Sequence, residues 1–251
     1  MNFLELTRPT PAENLALDEA LLLSANQATA PIETLRLWEE PAPVVIVGRG
    51  SRVETEVNTA ACRQRSIALL RRCSGGCAVV AGPGCLMYSV VLDLRQRPEL
   101  RLIDRAHAFV LERTRSAIAA CVQPENGLTV KQAGLSDLVI EMSSDEPAQM
   151  KFSGNSLRIT RDALLYHGTI LYDFSLNLIS ELLRFPPRQP TYRGDRPHHQ
   201  FITNLPIDVA TIRTAIQQSW MATNDATRWP ETLMKQLAEE KYSQDEWNGR
   251  H

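Results

Sequence analysis

The chain has 251 residues, 43% of them hydrophobic and 22% charged, and its 27 lysines and arginines against 29 aspartates and glutamates leave a net charge of −2. That length and apolar share can bury a sizeable core, and the near-neutral balance gives bulk charge no grip on nucleic acid or anionic membrane, so neither is expected as a partner. No apolar run approaches the ~18 residues of a membrane helix, and Met1-Asn2-Phe3-Leu4-Glu5-Leu6 lacks the basic-then-apolar pattern of a leader, which reads as a soluble cytoplasmic protein.

Thr10-Pro11-Ala12-Glu13 predicts a helix start, with Thr10 as cap, Pro11 at the first helical position and Glu13 completing a capping box. That helix runs to about Ala25. Leu35 to Trp38 alternates like a half-buried strand, and Val44 to Val47 is a β-branched run. Asn58 to Ser66 reads as a short polar helix. Ala68-Leu69-Leu70 leads a strand into a glycine-rich segment, Ser74 to Gly84, and Leu86 to Leu92 is a further strand. Glu99 to Cys121 carries the longest helical periodicity. Strands follow at Leu138 to Glu141, Phe152 to Ile159 and Leu164 to Phe174, with Ser143 to Pro147 as a hairpin loop. Leu176 to Phe185 is a helix stopped by Pro186-Pro187, and an Arg/Pro-rich loop extends to about Thr203. Asp208 to Thr223 and Pro230 to Tyr242 close the chain as helices. Hairpin-like strands mixed with helices point to an α+β fold in one domain spanning 1–251.

Cys62, Cys73, Cys77, Cys85 and Cys121 are odd in number and form no CxxC pair, so they are expected as reduced thiols rather than disulfides or a zinc knuckle. Three segments carry chemistry. Arg71-Arg72-Cys73-Ser74-Gly75-Gly76-Cys77-Ala78-Val79 brings two arginines into a small-residue turn, where backbone N–H groups close on an anion and guanidinium groups bond a carboxylate or phosphate. Its plain alternative is a tight turn with solvated arginines. Lys151-Phe152-Ser153-Gly154-Asn155 places a lysine beside a strand. There it is either a surface residue or a point charge bridging an acyl carboxylate and an α-phosphate. Tyr166-His167-Gly168-Thr169 puts a histidine within a strand, where a hydrogen-bonded core role competes with a site role. No Walker loop, no metal-ligand cluster and no serine–histidine–acid series of recognisable spacing is present.

Together these segments resemble the superfamily of lipoate–protein ligases, octanoyltransferases and biotin ligases, and the lipoate–protein ligase A branch most closely. The matching stretches are Asn14 to Glu19, Gly48-Arg49, Glu56-Val57-Asn58, Arg71 to Val79, Tyr88-Ser89, Asp137-Leu138-Val139, Lys151 to Ser156 and His167 to Leu171. They fall in order over roughly residues 10–205, followed by closing helices in 206–251. The resemblance implies the catalytic-domain fold shared with class II aminoacyl-tRNA synthetases and biotin/lipoate ligases, a central mixed, largely antiparallel sheet flanked by helices. It implies ATP, magnesium and lipoate as reactants, lipoyl-adenylate as intermediate, and a lysine of a lipoyl domain as acceptor. The acceptor would be of the 2-oxoacid dehydrogenase E2 or glycine-cleavage H protein type. On this resemblance Lys151 contacts the carboxyl and phosphate of the adenylate. Arg71, Arg72, Ser74, Gly75, Gly76 and Ala78 form the loop beside it, Ser153 and Gly154 allow close approach, Asp137 meets nucleotide or magnesium, and His167 and Gly168 form pocket wall.

Two departures fall on the ligand-facing loop. Cys77 replaces the third glycine, and Val80-Ala81-Gly82 follows Ala-Val where the family often has a His-Asp pair. The two-domain ligases also carry a further small domain, and the residues after 205 read only as two helices and a tail. An accessory chain is therefore an open expectation. Three alternatives remain. A thiol-dependent octanoyltransferase would place its cysteine shortly before the lysine, and Lys131 to Met150 holds none. A biotin ligase would show an Arg-x-x-Gly-Arg-Gly-type loop, which is missing. A non-catalytic acyl-adenylate binder would lack turnover. Arg184, Arg188, Arg193 and Arg196, set among prolines, form either a solvated loop or a docking edge for an acidic acceptor.

Overall fold

The computed structural model describes residues 1–122, 127–142 and 148–250. In chain order the elements are β1 (Asn2–Glu5), α1 (Pro11–Gln27), β2 (Thr34–Trp38), β3 (Val44–Val47), α2 (Val53–Glu56), α3 (Thr59–Gln64), β4 (Ala68–Arg71), β5 (Val79–Ala81) and β6 (Cys85–Asp93). Then come α4 (Ile103–Ala119), β7 (Leu128–Ala133), β8 (Asp137–Met142), β9 (Gln149–Ile159), β10 (Ala163–Leu171), α5 (Leu176–Leu182), α6 (His198–Phe201), α7 (Val209–Ser219), β11 (Asn224–Asp225), α8 (Glu231–Leu237) and α9 (Asp245–Asn248).

Eight strands form one sheet in the order β11-β1-β2-β6-β10-β9-β8-β7, and β4-β3-β5 form a second. Within the large sheet only β1 pairs in parallel, with β2 and β11, so the sheet is mixed and largely antiparallel as expected. The central strands β6 and β10 are buried along their whole length. Alternation sends Met87, Val91, Leu165 and Leu171 into a core with α1 and the small sheet, and Leu86, Tyr88, Val90, Tyr166 and Ile170 into a core under α4 and α7. A strand covered on both faces reads as an unbroken apolar run rather than an alternation.

The helix α1 starts as its sequence dictates. Thr10 accepts from the Glu13 amide and Glu13 reaches back to the Thr10 amide, the reciprocal capping box. Every residue from Asn14 to Leu22 is buried, polar ones included. Asn14, Asp18 and Glu19 must therefore find partners inside the protein.

The expected helix Glu99 to Cys121 is divided. A 3-10 turn covers Pro98–Arg101, Leu102 is extended at φ −83° and ψ 122°, and α4 starts after it. Four strands were not legible: β1, β5, β7 and β11. β5 lies inside the glycine-rich segment, and β7 pairs only with β8 at the sheet edge. The expected hairpin loop Ser143 to Pro147 lies outside the described residues. No helix among the described residues is long and apolar enough to cross a membrane.

Candidate functional site

The register of β8 and β9 shifts at one place. Leu138 opposes Ser153 while Val139 opposes Lys151, so Phe152 is the extra residue of a bulge. Phe152 is buried in the core, and Lys151 turns to the other side. Lys151 Nζ lies 2.8 Å from Asp137 Oδ1, and Tyr192 Oη donates to Asp137 Oδ2 at 2.8 Å. Gly154 makes this possible. A Cβ there would meet Lys151 Nζ at 2.9 Å and Cε at 3.0 Å.

The Arg-Gly loop is built around Arg72. Its Nε donates to Ser74 Oγ at 3.1 Å, Nη1 to the Ile46 carbonyl at 3.2 Å and Nη2 to the Cys77 carbonyl at 2.9 Å. Burial pushes this guanidinium down to about 10, with the backbone acceptors around it satisfying its donors. Gly76 has φ +83°, a left-handed conformation that suits glycine, and a Cβ there would meet Arg72 Nη2 at 2.8 Å.

Arg71 points away from the loop's ligand side. It is fully buried, and its Nη1 donates to the carbonyls of Gly48 (2.7 Å) and Ser51 (2.8 Å). Nε donates to the Trp247 carbonyl at 3.0 Å and Nη2 to those of Asn248 and Arg250. The loop at 48–51 in turn touches the glycine loop: Arg49 N donates to the Ser74 carbonyl at 2.8 Å and Ser51 Oγ to the Gly76 carbonyl at 3.0 Å. Arg71 is thus a brace between the segment Asp245–Arg250 and the loop, rather than a ligand contact.

Ser74 leads to a relay absent from the sequence expectation. Ser74 Oγ and His167 Nε2 are 2.5 Å apart, and His167 Nδ1 lies 3.3 Å from Asp18 Oδ2. Asp18 also accepts from Ser89 Oγ at 2.6 Å and pairs with Arg36 at 2.7 Å. Burial raises the Asp18 carboxyl, but Arg36, then His167 and Ser89, outweigh it and hold it below the usual carboxylate range. Serine, histidine and aspartate in this order have the layout of a nucleophilic triad. Ser74 is 1% exposed and its oxygen is already shared with Arg72, so the relay fixes the loop instead of attacking a substrate.

A cavity of about 520 Å³ lies between these parts. Arg72, Gly76, Ala78 and Asp137 line it, as do Lys151, Ser153, Gly154, His167 and Gly168. Arg71, Ser74 and Gly75 do not, and Ser74 and Gly75 reach it only through Arg72 and His167. Leu15, Ile46, Met87 and Leu171 add apolar wall, and Cys77 lines it as well. Burial and Glu56 push the Cys77 thiol up, against Arg72, Lys151 and Arg188.

The arginine cluster is not a uniform docking edge. Arg184 and Arg188 are exposed, but Arg193 is buried, lines the cavity, and stacks 4.8 Å from the Phe185 ring and 4.7 Å from that of Phe201. Its burial corrects the reading of a solvated arginine. Asp18, Tyr192, Arg193 and His198 were also missed as site residues. Asp18 stood inside the motif stretch Asn14 to Glu19 and Arg193 inside the arginine cluster, and these were the available signals. Among the described residues no group of three or more metal-type ligands converges, and the five cysteines are free.

A family profile described as the lipoyl protein ligase A/B catalytic domain matches residues 10–219. Octanoyltransferase LipM of Oceanobacillus iheyensis is 26% identical over 98% of this chain and 96% of its own. The enzyme of the same name from Halalkalibacterium halodurans is 23% identical over 96% and 95%. A bi-partite lipoate protein ligase from Thermoplasma acidophilum, solved in a study that includes its E2 lipoyl domain, superposes with a TM-score of 0.78 at 24% identity, covering 99% and 95% of the two chains. A lipoate-protein ligase A bound with ATP gives 0.74 at 22% identity, covering 99% and 98%. The profile spans well over half of the sequence, and the chain belongs to the lipoyl protein ligase A/B catalytic-domain family.

Proposed function

We propose that this protein attaches a lipoyl group, or an octanoyl group of the same kind, to a lysine of an acceptor lipoyl domain, after activating the free acid with ATP. The observation that carries this reading is Lys151, held 2.8 Å from Asp137 on the wall of a largely apolar cavity. In the first step a carboxylate oxygen of the acid attacks the α-phosphorus of ATP, and pyrophosphate leaves. In the second the acceptor amine attacks the acyl carbonyl, AMP leaves with the bonding electrons, and the amine proton passes to solvent. Both steps build negative charge beside the acyl carboxyl, and the Lys151 ammonium offsets it. Asp137 holds that ammonium in position, and the bulge and Gly154 give it room. No enzyme-bound acyl group is needed, so positioning and charge supply the catalysis.

Magnesium would enter with the nucleotide and neutralise its phosphates. Asp137 is the carboxylate nearest that role, and with no multi-ligand cluster among the described residues, most ligands would be phosphate and water oxygens. A lipoyl-domain acceptor is supported by the Thermoplasma relative, which was studied with its E2 lipoyl domain, while the H-protein type rests on the family resemblance alone. That relative is described as bi-partite, so the need for an accessory chain belongs to the same test.

A second reading is octanoyl transfer from a carrier through a thioester. It is favoured by the names of the curated relatives and by Cys77 on the cavity wall. It is opposed by the raised thiol, which leaves little thiolate at neutral pH. The deciding experiment measures the intact mass of an apo lipoyl domain after incubation with this protein, lipoate, ATP and magnesium. A parallel reaction uses octanoyl-carrier protein without ATP, and both are repeated with Lys151→Ala. ATP-dependent lipoylation lost in the variant supports the ligase. Transfer only from the carrier supports the second reading. No transfer in either, with or without an accessory chain added, defeats both.

A further inference from the structure

Four cationic side chains line the cavity, Arg72, Lys151, Arg188 and Arg193, against one carboxylate, Asp137, among the described residues. Asp137 is spent on Lys151 and Tyr192, and Arg72 on the loop carbonyls. Arg193 is different. It is 4% exposed, and its Nε donates to the Arg196 carbonyl at 2.9 Å. Its Nη2 meets no acceptor among the described residues. Proteins seldom leave a buried donor of a charged group in that condition, because its lost hydration is not recovered. The aromatic rings of Phe185 and Phe201 favour the cation across its face but offer nothing in its plane. They also fix that plane, so the N–H direction is set before any ligand arrives.

The surroundings locate the matching anion. Tyr192, the residue before Arg193, is tied to Asp137, the counter-ion of Lys151. His198 lines the same cavity: burial, then Arg193, then Lys151, push its imidazole down to about 4. It therefore stays neutral at neutral pH and adds no charge of its own. Lys151 and Arg193 thus share one positive field, which favours an anion between them.

We propose that Arg193 is a phosphate ligand of this cavity, its guanidinium donating to a phosphate oxygen of the substrate beside Lys151. The inference rests on the acyl-transfer reading only in taking the cavity as the substrate site. Both routes to the acyl group bring a phosphate ester. One is the adenylate phosphate, and the other is the phosphodiester of a carrier's pantetheine arm. A planar guanidinium suits that anion in either case.

The test is equilibrium binding by calorimetry to the full chain, with two probe pairs: AMP against adenosine, and 4′-phosphopantetheine against pantetheine. The wild type is expected to prefer the phosphorylated member of one pair by about tenfold or more. The pair that responds identifies the source. Arg193→Gln abolishes that preference, and Arg184→Gln, at an exposed neighbour, preserves it. If Arg193→Gln melts too early to titrate, Arg193→Lys decides. Its shorter reach and mobile ammonium cut the preference by about threefold or more. A preference that survives in whichever variant decides, or no preference in the wild type with either pair, overturns the proposal. Binding is read without turnover, so a chain that shows the Arg193 effect but never transfers an acyl group contradicts the acyl-transfer reading and leaves this one standing.

Discussion

Lys151 Nζ rests 2.8 Å from Asp137 Oδ1, folded across Gly154 into space that a side chain there would occupy. The pair is partly open to solvent, with 27% of the lysine side chain exposed, so its worth to folding is small. Lys151→Ala should therefore cost about 1 kcal/mol or less of stability and lower acyl transfer by about a hundredfold or more. Parallel thermal melts and intact-mass rate measurements check both halves. A variant that keeps its rate removes Lys151 from the chemistry.

Gly154→Ala tests the same geometry without removing the charge. The new methyl meets the mobile end of Lys151 rather than backbone, so the fold tolerates it while the ammonium moves. The expected result is a fall in kcat of about tenfold or more with a melting temperature within a few degrees of wild type. Equal activity would mean that the ammonium has other productive positions.

Arg71 acts through other groups, and its loss should show first in stability. Arg71→Ala strands the carbonyls of Gly48, Ser51, Trp247 and Asn248 and frees the segment Asp245–Arg250. A cost of about 3–5 kcal/mol is expected in urea unfolding, together with faster carboxypeptidase trimming of the tail. An unchanged unfolding midpoint and a protected tail would show that α9 docks without this brace.

Glu40 gives the chain a pH signature unrelated to the cavity. Its Oε1 accepts from Asn14 Nδ2 at 3.0 Å, Oε2 meets no partner among the described residues, and burial pushes the carboxyl from 4.5 up to about 7. Between those two values the folded chain keeps a proton that the unfolded chain has released. The contribution of Glu40 to stability is therefore fullest below 4.5 and is lost as pH rises through about 7. The decline is on the order of 3 kcal/mol. Chemical denaturation across pH 4 to 9 should show it in wild type and a flatter profile in Glu40→Gln. Matching profiles would refute the assignment.

Cys77→Ser separates the two acyl-transfer routes. Under the adenylate route the variant keeps transfer within about threefold, since a hydroxyl on the wall alters only packing. Under the thioester route transfer collapses, and the wild type carries a thioester mass after incubation with octanoyl-carrier protein.

Local chemistry made much of this legible. The capping box of α1 is complete in four adjacent residues, and β6 and β10 announce themselves as apolar runs because both faces are covered. β5 escaped because three residues inside a glycine-rich stretch carry no periodicity, and β11 because it has only two residues. Lys151 and the loop at Arg72 stood out through motif order. The relay from Ser74 through His167 to Asp18 did not, since its members lie 93 and 149 residues apart. Arg193 looked solvated because its burial depends on Phe185 and Phe201, which come from flanking segments.

The buried polar face of α1 also sets an order of assembly. Asp18 takes its partners from positions 18, 71 and 149 residues further on, and Glu19 is closed by Lys241 and Tyr242, 222 and 223 residues away. During synthesis α1 emerges before all of these partners, and although Arg36 in β2 and Arg158 in β9 reach its carboxylates earlier, the set is complete only when β10 and then the turn after α8 arrive. Until then burial would leave part of this polar face without its hydrogen-bond partners, which opposes complete packing of Leu17 and Leu22. The nascent protein therefore offers a chaperone an incompletely packed α1 until those segments are made, and a message truncated before α8 yields a chain in which Glu19 never meets Lys241 and Tyr242.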